Sequence, residues 1–183
     1  MNVYMLLYNG FVEFEVTVSL MALRRHSTLH TFSIDEKMVK SYCGLSVEAD
    51  MILEEVNPAD IDLLLIPGGE PKSYKNRDDV QNLIQIIHSR GTPIAAICGG
   101  PEFLAQAGVI KNRRITHSHE PEYGSRVFHE STITNEDVVV DGNIITARGQ
   151  AYVEFAVEIG KQLGIFENED DALETQLWFK NSV

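Results

Sequence analysis

The stretch Pro93-Ile94-Ala95-Ala96-Ile97-Cys98-Gly99-Gly100-Pro101-Glu102-Phe103 decides how this chain folds. Its first five residues are an unbroken apolar run, the pattern of a strand buried on both faces. Gly99-Gly100-Pro101 then supplies a tight turn and a proline suited to the opening of a helix. Cys98 stands at that strand-to-helix corner. A thiol there lies near unpaired backbone N–H groups and the positive end of a helix dipole, both of which favour thiolate and so make a nucleophile. The glycines permit the sharp turn and let a substrate approach the main chain closely. A second reading stands beside this one on the residues alone. Free cysteines are among the most buried residue types, and Cys98 is then a small core hydrophobe.

Upstream, Asp62-Leu63-Leu64-Leu65-Ile66 is another apolar run that stops at Pro67-Gly68-Gly69. Residues 78–90 carry Val80, Leu83, Ile84 and Ile87 at helical spacing, with Asp78 and Asp79 at the start and Gly91 past the end. Residues 3–7 predict the first buried strand, Tyr8-Asn9-Gly10 a turn, and residues from about 13 to 25 a helix opening on Glu13 and Glu15. Residues 29–34 predict a second strand and residues 39–47 a strand pair around Cys43-Gly44. Downstream, residues 114–117 predict a strand leading into His117-Ser118-His119-Glu120, and 138–140 with 144–147 a hairpin about Asp141-Gly142-Asn143. Residues 152–163 and 170–179 predict two closing helices, the last carrying Leu173, Leu177, Trp178 and Phe179.

Strands alternating with helices predict an α/β fold, a mostly parallel central sheet with helices on both faces. Ligands of such sheets bind outside the carboxyl ends of the strands. Glu15, Gly68-Gly69 and Cys98-Gly99 all follow strands, so a carboxyl, backbone donors and a thiol are expected in one crevice. That set suits attack on a carbonyl or similar electrophile, the thiol attacking and the amides holding the oxyanion.

At 183 residues and 44% hydrophobic content, the chain predicts a single domain over residues 1–183. A formal net charge of -12 opposes binding to nucleic acid or an anionic membrane through bulk electrostatics and favours a small-molecule or protein partner. Two cysteines, Cys43 and Cys98, are too few for a disulfide scaffold, and no ligand spacing suggests zinc. No metal or cofactor is therefore expected. Met1-Asn2-Val3-Tyr4-Met5 lacks the basic start and long apolar core of a signal peptide, so the expected location is the cytoplasm.

Four pieces in order resemble the ThiJ/PfpI superfamily, a class I glutamine amidotransferase-like group that includes deglycases and isonitrile hydratases. They are Gly10-Phe11-Val12-Glu13-Phe14-Glu15, the run from Asp62 to Gly69, Ala95-Ala96-Ile97-Cys98-Gly99-Gly100-Pro101, and Thr146-Ala147-Arg148-Gly149 ahead of Glu154-Phe155-Ala156. The resemblance implies a flavodoxin-like sandwich with a nucleophile elbow at Cys98. It implies that Glu15 is the carboxylic acid touching the sulfur, that Gly69 and Gly99 supply the oxyanion amides, and that His117 is the histidine of the deglycase-like branch. It also implies a homodimer, a small electrophile such as a 2-oxoaldehyde or its amine adduct as substrate, and Cys43 as a second-site thiol able to meet Cys98. Two departures narrow the activity. Gly99 occupies the place where the protease-like branch carries a histidine, which argues against a peptidase, and no His-x-Glu pair stands near the end of the domain as in glutamine hydrolases.

Several positions keep two readings. Glu15 reads as a dipole-stabilised helix-start carboxylate or, buried, as a proton donor and acceptor for sulfur. Glu13 is expected to be exposed. His117 and His119 alternate, so one is expected in the crevice and the other in solvent, with His117 taken as the inner one. Cys43 reads as a strand thiol, and the apolar side chains of the last helix as core or interface. Isonitrile hydration is the enzymatic alternative, and oxidation of Cys98 in a redox sensor is the non-catalytic one.

Overall fold

The computed structural model describes residues 1–180. In chain order the elements are β1 (Asn2–Leu7), α1 (Phe14–Leu23), β2 (Thr28–Ser33), β3 (Met38–Lys40), β4 (Ser46–Glu48), β5 (Met51–Ile52) and β6 (Leu63–Ile66). There follow α2 (Asp78–Ser89), β7 (Ile94–Ile97), α3 (Pro101–Gln106), β8 (Arg114–Ile115), α4 (Pro121–Val127) and β9 (Thr132–Ile133). The chain closes with β10 (Val138–Asp141), β11 (Ile144–Ala147), α5 (Tyr152–Gln162) and α6 (Glu169–Lys180).

Seven strands form one sheet in the order β10-β11-β7-β6-β1-β2-β5, parallel throughout except for the β10–β11 hairpin. The central strands are fully buried because their apolar runs are unbroken: every residue of β6, β7 and β11 is enclosed, which requires cover on both faces. Parallel pairing aligns Leu65 and Ile66 with Ala95 and Ala96, and Ala147 with Ile97. The carboxyl ends of β6, β7 and β11 therefore stop together, with β1 beside them. The loops after these strands carry Gly68-Gly69, Cys98-Gly99 and Gly149, and the loop after β1 leads to Glu15.

Residues 39–47 form the expected strand pair, β3 with β4, as a small hairpin arm separate from the main sheet. Departures from the sequence reading fall outside the central block. The strand expected at 114–117 shrinks to Arg114–Ile115 and pairs with β9, so His117 lies beyond it in a loop. The last helix buries only Ala172, leaving Leu173 and Trp178 51% and 63% exposed; neither is a core residue. No helix among the described residues is long and apolar enough to cross a membrane.

Candidate active site

Cys98 ends β7 with φ of +63°, a left-handed conformation that costs a non-glycine residue about 1–2 kcal/mol. Neighbouring backbone holds it there. The Cys98 N–H donates to the Ala147 carbonyl at 2.8 Å, and the Ser118 N–H donates to the Cys98 carbonyl at 3.0 Å. Both bonds come from segments registered by the sheet, so the fold imposes the elbow and turns the thiol outward over the strand ends.

Glu15 comes from the first turn of α1 and is only 3% exposed. One carboxylate oxygen accepts the Gly68 N–H at 3.0 Å, and the carboxyl also hydrogen-bonds the Cys98 thiol. Two glycines make room for this pair. A Cβ on Gly68 would lie 2.1 Å from a Glu15 oxygen, and one on Gly149 would lie 2.6 Å from the other oxygen and 3.2 Å from the Cys98 sulfur. Tyr8 locks the β1 and β6 loops together from beneath, its hydroxyl donating to the Gly68 carbonyl at 2.8 Å.

The electrostatics differ from the dipole argument. Burial, and then the charge and hydrogen bond of the Glu15 carboxylate, push the Cys98 thiol up to about 12, while the Ser118 hydroxyl and Gly99 N–H pull in the opposite direction. Burial likewise raises Glu15, against the hydrogen bonds from Cys98 and Gly68. Both acids are pushed the same way by burial, so they share a proton across their contact and the pair titrates as a unit.

Gly69 and Gly99 stand side by side: a side chain starting on Gly99 would begin 3.5 Å from the Gly69 amide nitrogen. Neither N–H donates to another main-chain carbonyl among the described residues, and that of Gly99 rests on the Cys98 sulfur, so both lie at the reacting group where an oxyanion would form. A cavity of about 280 Å³ opens beside Gly69, lined also by Lys72, Glu102, His119 and Tyr123.

The histidines exchange the places expected for them. His117 stacks on Phe128 with ring centroids 4.6 Å apart and lies over Gly124, where a Cβ would come within 2.3 Å of the ring. Its Nδ1 accepts the His119 N–H at 3.0 Å, and burial lowers its pKa to about 4. His117 is thus a neutral packing residue, and His119 lines the cavity. Ser118, between them, reaches the sulfur instead: its hydroxyl oxygen accepts the Gly149 N–H at 2.8 Å, which leaves the hydroxyl proton for Cys98. Sequence reasoning passed over Ser118 because a serine in a loop carries no periodic signal.

Cys43 sits exposed at the tip of the β3–β4 arm, and its thiol partners Glu13. Glu13 is half-buried, with one oxygen enclosed and unpartnered, contrary to the exposure expected of it. Both cysteines are free thiols. Among the described residues no group of three or more His, Cys, Asp or Glu side chains converges on a metal-sized site.

An elbow cysteine facing a buried carboxyl and two glycine amides, at the carboxyl edge of a parallel sheet, defines a class of α/β proteins built around one thiol. The chain belongs to the DJ-1/PfpI family, whose sequence model matches residues 1–162. DJ-1alpha of Drosophila melanogaster is 33% identical over 183 residues, spanning 97% of this chain and 84% of its own. A deglycase of Pyrococcus horikoshii is 29% identical over 150 residues, 81% of this chain and 90% of its own. Among solved structures, a DJ-1 superfamily protein of Agrobacterium tumefaciens superposes with a TM-score of 0.84 at 28% identity, covering 100% of both chains.

Proposed function

We propose that this protein is a cofactor-independent, cysteine-dependent enzyme acting on a small electrophile, a 2-oxoaldehyde or its amine adduct; relatives named deglycases support the reading. The observation that carries the reading is the contact of the Cys98 thiol with the buried Glu15 carboxyl, beside the amides of Gly69 and Gly99. As the sulfur bonds to the carbonyl carbon, its proton passes to Glu15 and the π electron pair moves to oxygen, where the two N–H groups receive it. Glu15 returns the proton when the adduct resolves. The Cys98–Glu15 contact suits this cycle, because the proton acceptor is already hydrogen-bonded to sulfur.

The test is turnover of methylglyoxal, a methylglyoxal–arginine adduct and an alkyl isonitrile by wild type and Cys98→Ser. Wild-type turnover of either of the first two, absent in Cys98→Ser, supports the reading. Turnover of the isonitrile alone selects isonitrile hydration. Equal rates for wild type and variant on every substrate would refute catalysis by Cys98. Clean oxidation of Cys98 to sulfinate without turnover of any substrate would point to a sensor.

A further inference from the structure

Glu15 is enclosed behind the sulfur, bonded to the Gly68 N–H and to the thiol, so it serves the attacking atom and cannot reach a group beyond the electrophilic carbon. Hydrolysis of an amine adduct breaks a carbon–nitrogen bond, and an amine departs with its bonding electron pair only if it gains a proton. That proton must come from the cavity side. The one buried carboxyl there that the reaction has not yet used is Glu102.

Glu102 lies in the first turn of α3, one helical turn after Cys98, with its side chain 4% exposed. A carboxylate so placed needs partners. The Tyr123 hydroxyl bridges both oxygens at 3.0 and 3.2 Å, and the Gln106 amide donates to one of them at 3.3 Å. His119 Nε2 stands 3.4 Å from the other oxygen and has no hydrogen-bond partner in the resting arrangement. The imidazole is clasped between Tyr123 and Phe128, with centroids 5.0 and 5.9 Å away, and its main-chain N–H is fixed on His117. It faces the Gly69 cavity while also contacting the Gly99 main chain next to the elbow. A histidine standing against a buried carboxylate and lining the cavity that opens beside Gly69 is placed to hand over a proton there.

We infer that His119 is the proton donor to the leaving amine on the cavity side, and that Glu102 is the positioning residue that orients its ring and supports its protonated form. This inference rests on the proposed function. In the step, the Cys98 Sγ–C bond forms as the C–N bond breaks, and the nitrogen takes the electron pair. That nitrogen also takes a proton from the His119 ring nitrogen not held by Glu102, while the thiol proton passes to Glu15. The charged and titratable groups around His119 are Glu102 from α3, Tyr123 from α4, Lys72 and Glu70 from the loop after β6, and His117 and Glu120 from its own segment. Burial, the largest influence, and Lys72 hold the ring below its ordinary pKa, while Glu102 and a hydrogen bond to the Gly99 main chain favour the imidazolium, so the donor form depends on Glu102.

The experiment compares wild type, His119→Gln and Glu102→Gln in three readouts. The first is turnover of the methylglyoxal–arginine adduct. The second is alkylation of Cys98 by iodoacetamide, whose iodide departs without a proton. The third is titration of the His119 ring by NMR in wild type and Glu102→Gln. His119→Gln should lose about 100-fold or more in turnover, with alkylation within about threefold of wild type. Glu102→Gln should lower the His119 midpoint by about one unit or more. The alkaline limb of its turnover profile should move down by the same amount, since a general acid must be protonated to act. Wild-type turnover in His119→Gln, a parallel loss of turnover and alkylation, or an unmoved midpoint in Glu102→Gln would each overturn the inference. A wild type that alkylates normally but turns over no adduct would overturn the donor role, and one that turns over no methylglyoxal either would refute the proposed function as well. The ring titration would still decide whether Glu102 holds His119.

Discussion

Replacing Glu15 with glutamine separates two roles that the geometry combines in one carboxyl. Glu15 contributes both a repulsive charge and a hydrogen bond to the rise of the Cys98 thiol to about 12. Removing a carboxylate in contact with an acid typically lowers that acid's pKa by about 1–3 units. Well below the pKa, each unit multiplies the thiolate fraction by about 10, while the nucleophilicity of that thiolate falls about threefold through a Brønsted slope near 0.4–0.5. Iodoacetamide should therefore alkylate Cys98 in Glu15→Gln about 3- to 40-fold faster than in wild type at pH 7.5. Turnover of the physiological class of electrophile should fall in the same variant, because the group that accepts the thiol proton is gone. The assay is a pH series of pseudo-first-order alkylation rates read by peptide mass on Cys98, beside steady-state turnover. An unchanged or slower alkylation rate would refute the assignment of Glu15 as the carboxyl that keeps Cys98 protonated.

Three further outcomes are expected. Ser118→Ala removes a hydroxyl donor to sulfur, so the alkylation midpoint of Cys98 should rise by about one unit while Ser118→Thr stays near wild type. His117 is held neutral in the fold, with a pKa near 4 against an ordinary value of 6.5, so the unfolded chain binds more protons between those values. Its contribution is present above pH 6.5 and lost as pH falls toward 4; after allowance for partial exposure it amounts to about 1–2 kcal/mol, measurable by urea unfolding at pH 7 and pH 4.5, and His117→Asn should flatten the difference. We also propose a homodimer, motivated by apolar side chains such as Phe14, Tyr42, Leu45 and Trp178 left at least 50% exposed; light scattering should give about twice the 20.5 kDa chain mass, and a strict monomer would end that proposal.

The parts of the fold that were legible in the sequence are those where composition and position agree. Residues 63–66 and 94–97 are apolar without interruption and stop on glycine, which leaves a doubly covered strand as the only economical reading. Because parallel strands align their carboxyl ends, the meeting of Glu15, Gly68, Gly69 and Cys98 follows from strand order alone. The rest depends on side-chain packing at a distance. Alternation along residues 117–119 predicts that the two histidines face opposite sides, yet the loop brings both rings to Phe128 with their centroids 5.8 Å apart, and Gly124 shapes the slot that takes His117. Glu102 gave one local signal, an acid in the first turn of the elbow helix. Its burial depends on Tyr123 from a helix the periodicity did not reveal. The helix-dipole argument for a thiolate left out two opposing influences that only the packed structure shows, the burial of Cys98 and its contact with Glu15.

Peptide mass spectrometry of the wild type, acid-quenched during turnover of a 2-oxoaldehyde, tests the central claim most directly. A substrate-derived mass should appear on the peptide containing Cys98, rise before product accumulates and vanish once substrate is exhausted. Full turnover with Cys98 unmodified at every quench time, or with the added mass on Cys43 alone, would contradict the assignment of Cys98 as the attacking group.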